Sequence, residues 1–145
     1  MFEKIDEYLR ESGHGKVFFL VDSNTHENCL PLLLGELKNL SEYEILEVEP
    51  GEENKCIEVA TNLWSVLAEL GAERSDILIN LGGGVVTDLG GFIASTYKRG
   101  IPFINIPTSL LAMVDAAHGG KTGIDLGNAK NMIGTFTEPN STWII

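Results

Sequence analysis

Residues 76–91, DILINLGGGVVTDLGG, decide the fold. Ile77 to Leu81 form a short apolar run that passes straight into Gly82, Gly83 and Gly84. A run of that length bounded by glycine reads as a strand buried on both faces. A helix is expected to follow over Asp88–Tyr97, with Asp88 in its first turn, where a carboxylate opposes the helix dipole. Glycines between strand and helix let backbone N–H groups approach a diphosphate closely. A tight turn is the plainer alternative. The spacing is not G-x-G-x-x-G, so the ordinary dinucleotide fingerprint is absent.

Working outward, Phe2–Ser12 has helical periodicity, and KVFFLVD reads as a buried strand ending at Asp22. ENCLPLLLGELKNL is helical in pattern, with Pro31 and Gly35 marking a first turn or a kink. YEILEV alternates like a strand, PGEENK is turn chemistry, and a helix is expected over about Lys55–Leu70. After the glycines come the strand FINIP, a short helix through Val114 and a polar, glycine-rich stretch from Ala116 to Phe136. Strands alternating with helices imply an α/β, Rossmann-like parallel sheet covered on both faces. Such sheets bind ligands beyond the carboxyl ends of their strands, here at Asp22, Gly82–Gly84 and Pro107–Ser109. The chain reads as one domain, 1–145, and STWII resembles a strand cut from a longer polypeptide.

The net charge of −11 opposes nucleic acid as a partner. Only residues 97–136 are locally positive, with Lys98, Arg99, Lys121 and Lys130 against Asp115 and Asp125. No apolar run has the length of a membrane span, and no signal-peptide core opens the chain. Cys29 and Cys56 are far apart, which with the missing export signal points to reduced thiols and a cytoplasmic protein. HGGKTG, residues 118–123, is not the end of a nucleoside-triphosphate loop, because Asp115 stands where the first glycine is needed and a helix precedes it.

The stretch GGGVVTDLGGFIASTYKRGIPFINIPTSLLAMVDAAHGGKTGIDLGNAKNMIGTF closely resembles the core of 3-dehydroquinate synthases, with likeness from about Asp22 onward. Sugar-phosphate cyclases such as 2-deoxy-scyllo-inosose synthase are relatives of that family. The resemblance implies an N-terminal NAD-binding domain and a C-terminal helical domain that supplies the ligands of a zinc or cobalt ion. It also implies conversion of 3-deoxy-D-arabino-heptulosonate 7-phosphate to 3-dehydroquinate and phosphate, in a homodimer, with no membrane or nucleic-acid partner. By the same likeness, Asp22, Glu52 and Lys55 match positions holding the adenosine half of NAD. Gly83, Gly84 and Asp88 match the diphosphate loop and its helix, and Thr108 and Ser109 a pair near the nicotinamide ribose. Asp115, Lys121, Lys130 and Asn131 match the floor of the site, where substrate and cofactor are touched. Arg99 matches an arginine that reaches the substrate phosphate of the neighbouring subunit.

Each residue has a plainer reading. Asp22, Glu52 and Lys55 can be solvated loop residues, Thr108 and Ser109 helix caps, and Arg99 a charge at a helix C-terminus. Thr87 stands where the family usually has glycine, and His118 where a small or apolar residue is commoner. No metal constellation is evident among His14, His26, His118 and the carboxylates, so the metal ligands are expected outside these residues and the chain alone is expected to be inactive. Another sugar-phosphate cyclase and a non-catalytic nucleotide-binding module remain as alternatives.

Overall fold

A computed structural model describes residues 2–117 and 120–145. Five parallel strands form the main sheet in the order β2-β1-β3-β4-β7, with β1 Val17–Asp22, β2 Tyr43–Val48, β3 Ile77–Gly82, β4 Phe103–Pro107 and β7 Ser141–Thr142. Strands β1, β3 and β4 are buried almost throughout, as two-sided coverage requires. Alternate residues serve opposite faces. Phe18 and Leu20 of β1 pack beneath α4 (Ile57–Glu69) and α5 (Gly84–Thr96). Val17, Phe19 and Val21 join Ile5 of α1 (Phe2–Glu11) and Leu30 and Leu33 of α3 (Leu30–Glu36). The α/β, doubly covered sheet expected from the sequence is therefore observed.

Several local expectations change. The long helix after β1 is two helices, α2 (Ser23–Asn28) and α3, which meet at Cys29. Pro31 sits in the first turn of α3, where its missing N–H costs no hydrogen bond. Glu52–Asn54 form a 3-10 turn and α4 starts only at Ile57, so Lys55 lies before the helix. Helix α5 begins at Gly84, not Asp88, because the last two glycines of the triplet serve as its cap and first residue. Asp88 therefore lies beyond the first turn and is not a helix-end carboxylate.

The largest difference concerns the glycine-rich stretch. After α6 (Leu110–Ala117), an antiparallel hairpin forms from β5 (Lys121–Leu126) and β6 (Ala129–Phe136). Gly127, at φ 59, and Asn128 make the two-residue turn between them. The hairpin packs on α5 through missing side chains. A Cβ on Gly91 would lie 2.7 Å from Thr122 Cγ2. One turn along, the Ser95 hydroxyl is 2.8 Å from Thr135 Oγ1. Gly90 faces the sheet instead, where a Cβ would lie 1.9 Å from Asn80 Oδ1. Asn80 is fully buried and donates through Nδ2 to Asn105 Oδ1 at 3.0 Å across the β3–β4 register.

Candidate functional site

The carboxyl ends of the parallel strands β1, β3 and β4 lie at one edge of the sheet, and the hairpin packs on α5 at Gly91 and Ser95 and is tied to Asp88 through Lys55. Asp22 ends β1 and caps α2. Its Oδ1 accepts from Thr25 N at 2.8 Å, while Thr25 Oγ1 accepts from Asp22 N at 3.1 Å. Gly83 caps α5 with no side chain closing the end, and space at Gly84 is open. The first-turn N–H groups of a helix have no partner within it, so this end suits an anion. Thr108 N donates to Gly82 O at 2.9 Å, which holds the end of β4 beside the glycine turn. Ser109 Oγ accepts from Ala112 N at 3.2 Å, so Ser109 does cap α6. It also stands 3.5 Å from where a Gly83 Cβ would be.

Between α5 and the hairpin lies a cleft of about 690 Å³, lined among others by Asp88, Asn105, Asp115, Lys121 and Asn131. Beside the lining residues Asp88 and Asn131, Lys55 is enclosed by protein groups and only 2 % exposed. Its Nζ donates to Asn131 Oδ1 at 2.7 Å and to Asp88 Oδ2 at 3.2 Å. Ion pairs with Glu52 at 3.2 Å and Asp125 at 3.8 Å complete the cluster. Burial works against the Lys55 charge, but Asp88 and Glu52 outweigh it and hold its pKa above the ordinary value. Burial also pushes the Asp88 carboxyl up, against the pull of Lys55, and the charges of Glu52 and Asp115 add to the rise.

The family model for the N-terminal part of 3-dehydroquinate synthase matches residues 45–145. This chain belongs to the 3-dehydroquinate synthase family. The 3-dehydroquinate synthase of Parabacteroides distasonis is 43% identical over 97% of this chain, and that of Sulfolobus acidocaldarius 46% over 92%. The chain spans 40% and 36% of those relatives' lengths. Among solved structures, 2-deoxy-scyllo-inosose synthase complexed with carbaglucose-6-phosphate, NAD+ and Co2+ superposes with a TM-score of 0.90 at 26% identity. That match covers 99% of this chain and 39% of the other.

Within this member of the 3-dehydroquinate synthase family, the expected residues fall into three groups. Asp22, Gly83, Gly84, Thr108 and Ser109 stand at the strand ends. Asp88, Asp115, Lys121 and Asn131 line the cleft, whereas Glu52 and Lys55 do not and are tied to it only through the bonds of Lys55 to Asp88 and Asn131. Lys130 is exposed on β6 beside Asn131, and Arg99 is exposed on the turn that follows α5; neither lines the cleft. His118 lies outside the described residues. His26 pairs with Glu47 at 2.6 Å, and burial lowers the pKa of His14, which faces Ser75. Asp125 was missed by sequence reasoning. Its signal was the Gly-Asn pair at 127–128, which marks a hairpin and so brings Asp125 near its turn.

The open end of α5 fits the diphosphate of a dinucleotide. A metal does not fit, since no group of three His, Cys, Asp or Glu side chains among the described residues is placed to hold one. No helix among them is long and apolar enough to cross a membrane.

Proposed function

We propose that this chain forms the NAD+-binding part of a 3-dehydroquinate synthase, which turns 3-deoxy-D-arabino-heptulosonate 7-phosphate into 3-dehydroquinate and phosphate. One observation carries the reading: the uncapped, glycine-lined start of α5 opens beside a cleft whose far wall is the hairpin with Lys121 and Asn131. In this reading the N–H groups of Gly83 and Gly84 hold the diphosphate, and Asp22 and Glu52 face the adenosine half. Thr108, Ser109 and Asp88 line the remainder of the cofactor's path, and Lys130, exposed outside the cleft, would meet the cofactor only from its edge. The bound cofactor supplies a hydride acceptor for one carbinol, and a ketone there acidifies the adjacent C–H.

The chain's own groups bind and orient. The Lys121 ammonium attracts the anionic substrate, and Asn131, whose Oδ1 is engaged by Lys55, has its Nδ2 left to donate. Asp115 is exposed in the cleft and accepts from substrate hydroxyls. Arg99 lies outside the cleft, consistent with reaching a neighbouring subunit in a homodimer. A cytoplasmic location belongs to the same reading. Metal chemistry is assigned no step in these residues. The 43–46% identity to named 3-dehydroquinate synthases favours this substrate over that of 2-deoxy-scyllo-inosose synthase.

Calorimetric titration with NAD+ and with ATP tests the reading. Weak, saturable NAD+ binding is expected. Absence of NAD+ binding, or tight ATP binding with hydrolysis, overturns it.

A further inference from the structure

Among the described residues Lys55 is the most enclosed charge, and what surrounds it belongs to three separate pieces of chain. Glu52 comes from the 3-10 turn, Asp88 from α5, and Asp125 and Asn131 from the hairpin. The backbone repeats the connection, since Asp125 N donates to Lys55 O at 2.8 Å. These contacts meet the hairpin at its least regular place. The pairing of β5 with β6 shifts register between Ile124 and Leu126, and Asn131 adopts φ 56 there. Asp125 Oδ1 accepts from Asn131 N at 2.8 Å and so holds that left-handed turn. Near its open end the hairpin is docked on α5 by Gly91, Thr122 and Ser95; near its turn it is docked through the Lys55 cluster.

An ammonium has three donors. Here two are spent on Asp88 and Asn131, and carboxylates of Glu52 and Asp125 lie within 4 Å. A side chain enclosed in this way is a poor contact for the adenosine hydroxyls that its position in the family suggests. It is well placed to link α5 to the hairpin.

We propose that Lys55 is a positioning residue that transmits occupancy of the glycine turn at the start of α5 to the hairpin carrying Lys121, Lys130 and Asn131. The proposal rests on the NAD+ reading of that turn. Ordering the first two turns of α5 fixes Asp88; Asp88 fixes the ammonium; and the ammonium fixes Asn131 and, with Asp125, the irregular part of β6. The substrate side of the cleft is thereby set when the cofactor side is filled. Coupling of this kind is a free-energy link between two sites, and removing a residue that carries it abolishes the link.

Amide hydrogen exchange with and without saturating NAD+ tests it. In the wild-type chain, NAD+ should slow exchange at Gly83–Asp88 and also, by about fivefold or more, at hairpin amides near Asn131. Lys55→Met should retain the first effect and lose the second, and Lys55→Arg should restore it. Asp125→Ala guards against failure of Lys55→Met to fold, because it leaves Lys55 paired with Glu52 and Asp88 and relieves a cluster of three carboxylates around one cation. It too should keep protection at the glycine turn and lose it in the hairpin. Protection of the turn in wild type without any response of the hairpin overturns the proposal and leaves the NAD+ reading intact. An unchanged hairpin response in both Lys55→Met and Asp125→Ala overturns it as well. Absence of protection at both places in wild type overturns the NAD+ reading, and the proposal falls with it.

Discussion

Replacing Gly90 with alanine tests how α5 is seated, and the structure sets the size of the effect. The new Cβ would lie 1.9, 2.3 and 2.7 Å from Oδ1, Cγ and Nδ2 of Asn80, so it overlaps the whole amide and not just its tip. Asn80 is fully buried and cannot swing into solvent. Either α5 lifts from the sheet or the amide turns away and abandons its bond to Asn105. Alanine in a helix interior gains about 1 kcal/mol over glycine. Overpacking of a buried site costs about 1–3 kcal/mol, and an orphaned buried amide about 1–3 kcal/mol more. The expected net loss is about 1–5 kcal/mol. Urea unfolding followed by circular dichroism should show a lower midpoint at unchanged slope. In an Asn80→Ala background the same substitution should cost at least about 1 kcal/mol less, as contacting residues couple. A Gly90→Ala chain as stable as wild type would refute the seating of α5 on Asn80.

Asp22→Ala should lower stability by about 1 kcal/mol through loss of the α2 cap, whereas Asp22→Asn, which keeps an accepting oxygen, should preserve most of it. If Asp22 also faces adenosine, calorimetry will show weaker NAD+ binding in both. The ion cluster predicts two slopes in a plot of unfolding free energy against pH, measured with urea. The raised pKa of Lys55 means that its stabilising contribution is complete below its ordinary 10.5 and is lost as pH rises through the higher folded value. Lys55→Met should lack that alkaline loss. The raised pKa of Asp88 means that its protonated form fits the fold better, so its contribution is present below 3.8 and is lost as pH rises through its own folded value. Asp88→Asn should flatten the curve from 3.8 upward.

The sheet was legible because its central strands are continuous apolar runs, and a run such as VFFLV has no other stable place than a doubly covered sheet. The strand-end positions were equally legible, since Asp22, Gly82–Gly84 and Pro107–Ser109 follow those runs directly. The start of α5 was misplaced because glycine has low helix propensity, although Gly84 is the first residue of the helix, behind the Gly83 cap, where the penalty for glycine in a helix interior does not apply. The hairpin was hidden for a similar reason. Gly123 and Gly134 face one another across its strands, where a Cβ on Gly134 would lie 1.9 Å from Thr122 O, so composition suggests a loop at the very place where sterics demand glycine in a strand. Lys55 shows what sequence cannot supply. Nothing in PGEENK distinguishes a solvated lysine from one gathered beneath Asp88 and Asn131, which lie 33 and 76 residues further on.

The turn that closes α5 constrains what neutral drift can place there. Lys98 and Arg99 have φ of 47 and 70 and are followed by Gly100 at 119, so three successive residues hold a backbone that suits the opposite hand of amino acid. Tyr97 anchors the approach by donating its hydroxyl to Ala72 O, and Ile101 N returns to Ala94 O at 2.7 Å, which leaves the segment no slack to relax. Valine, isoleucine and threonine are excluded at 98 and 99 even though both side chains are exposed, since branching at Cβ is worst tolerated in that region. Glycine and asparagine enter easily. Exposure alone would suggest freely variable sites; chirality makes them narrow ones, and any lineage that keeps an arginine at 99 pays a continuing conformational cost for it.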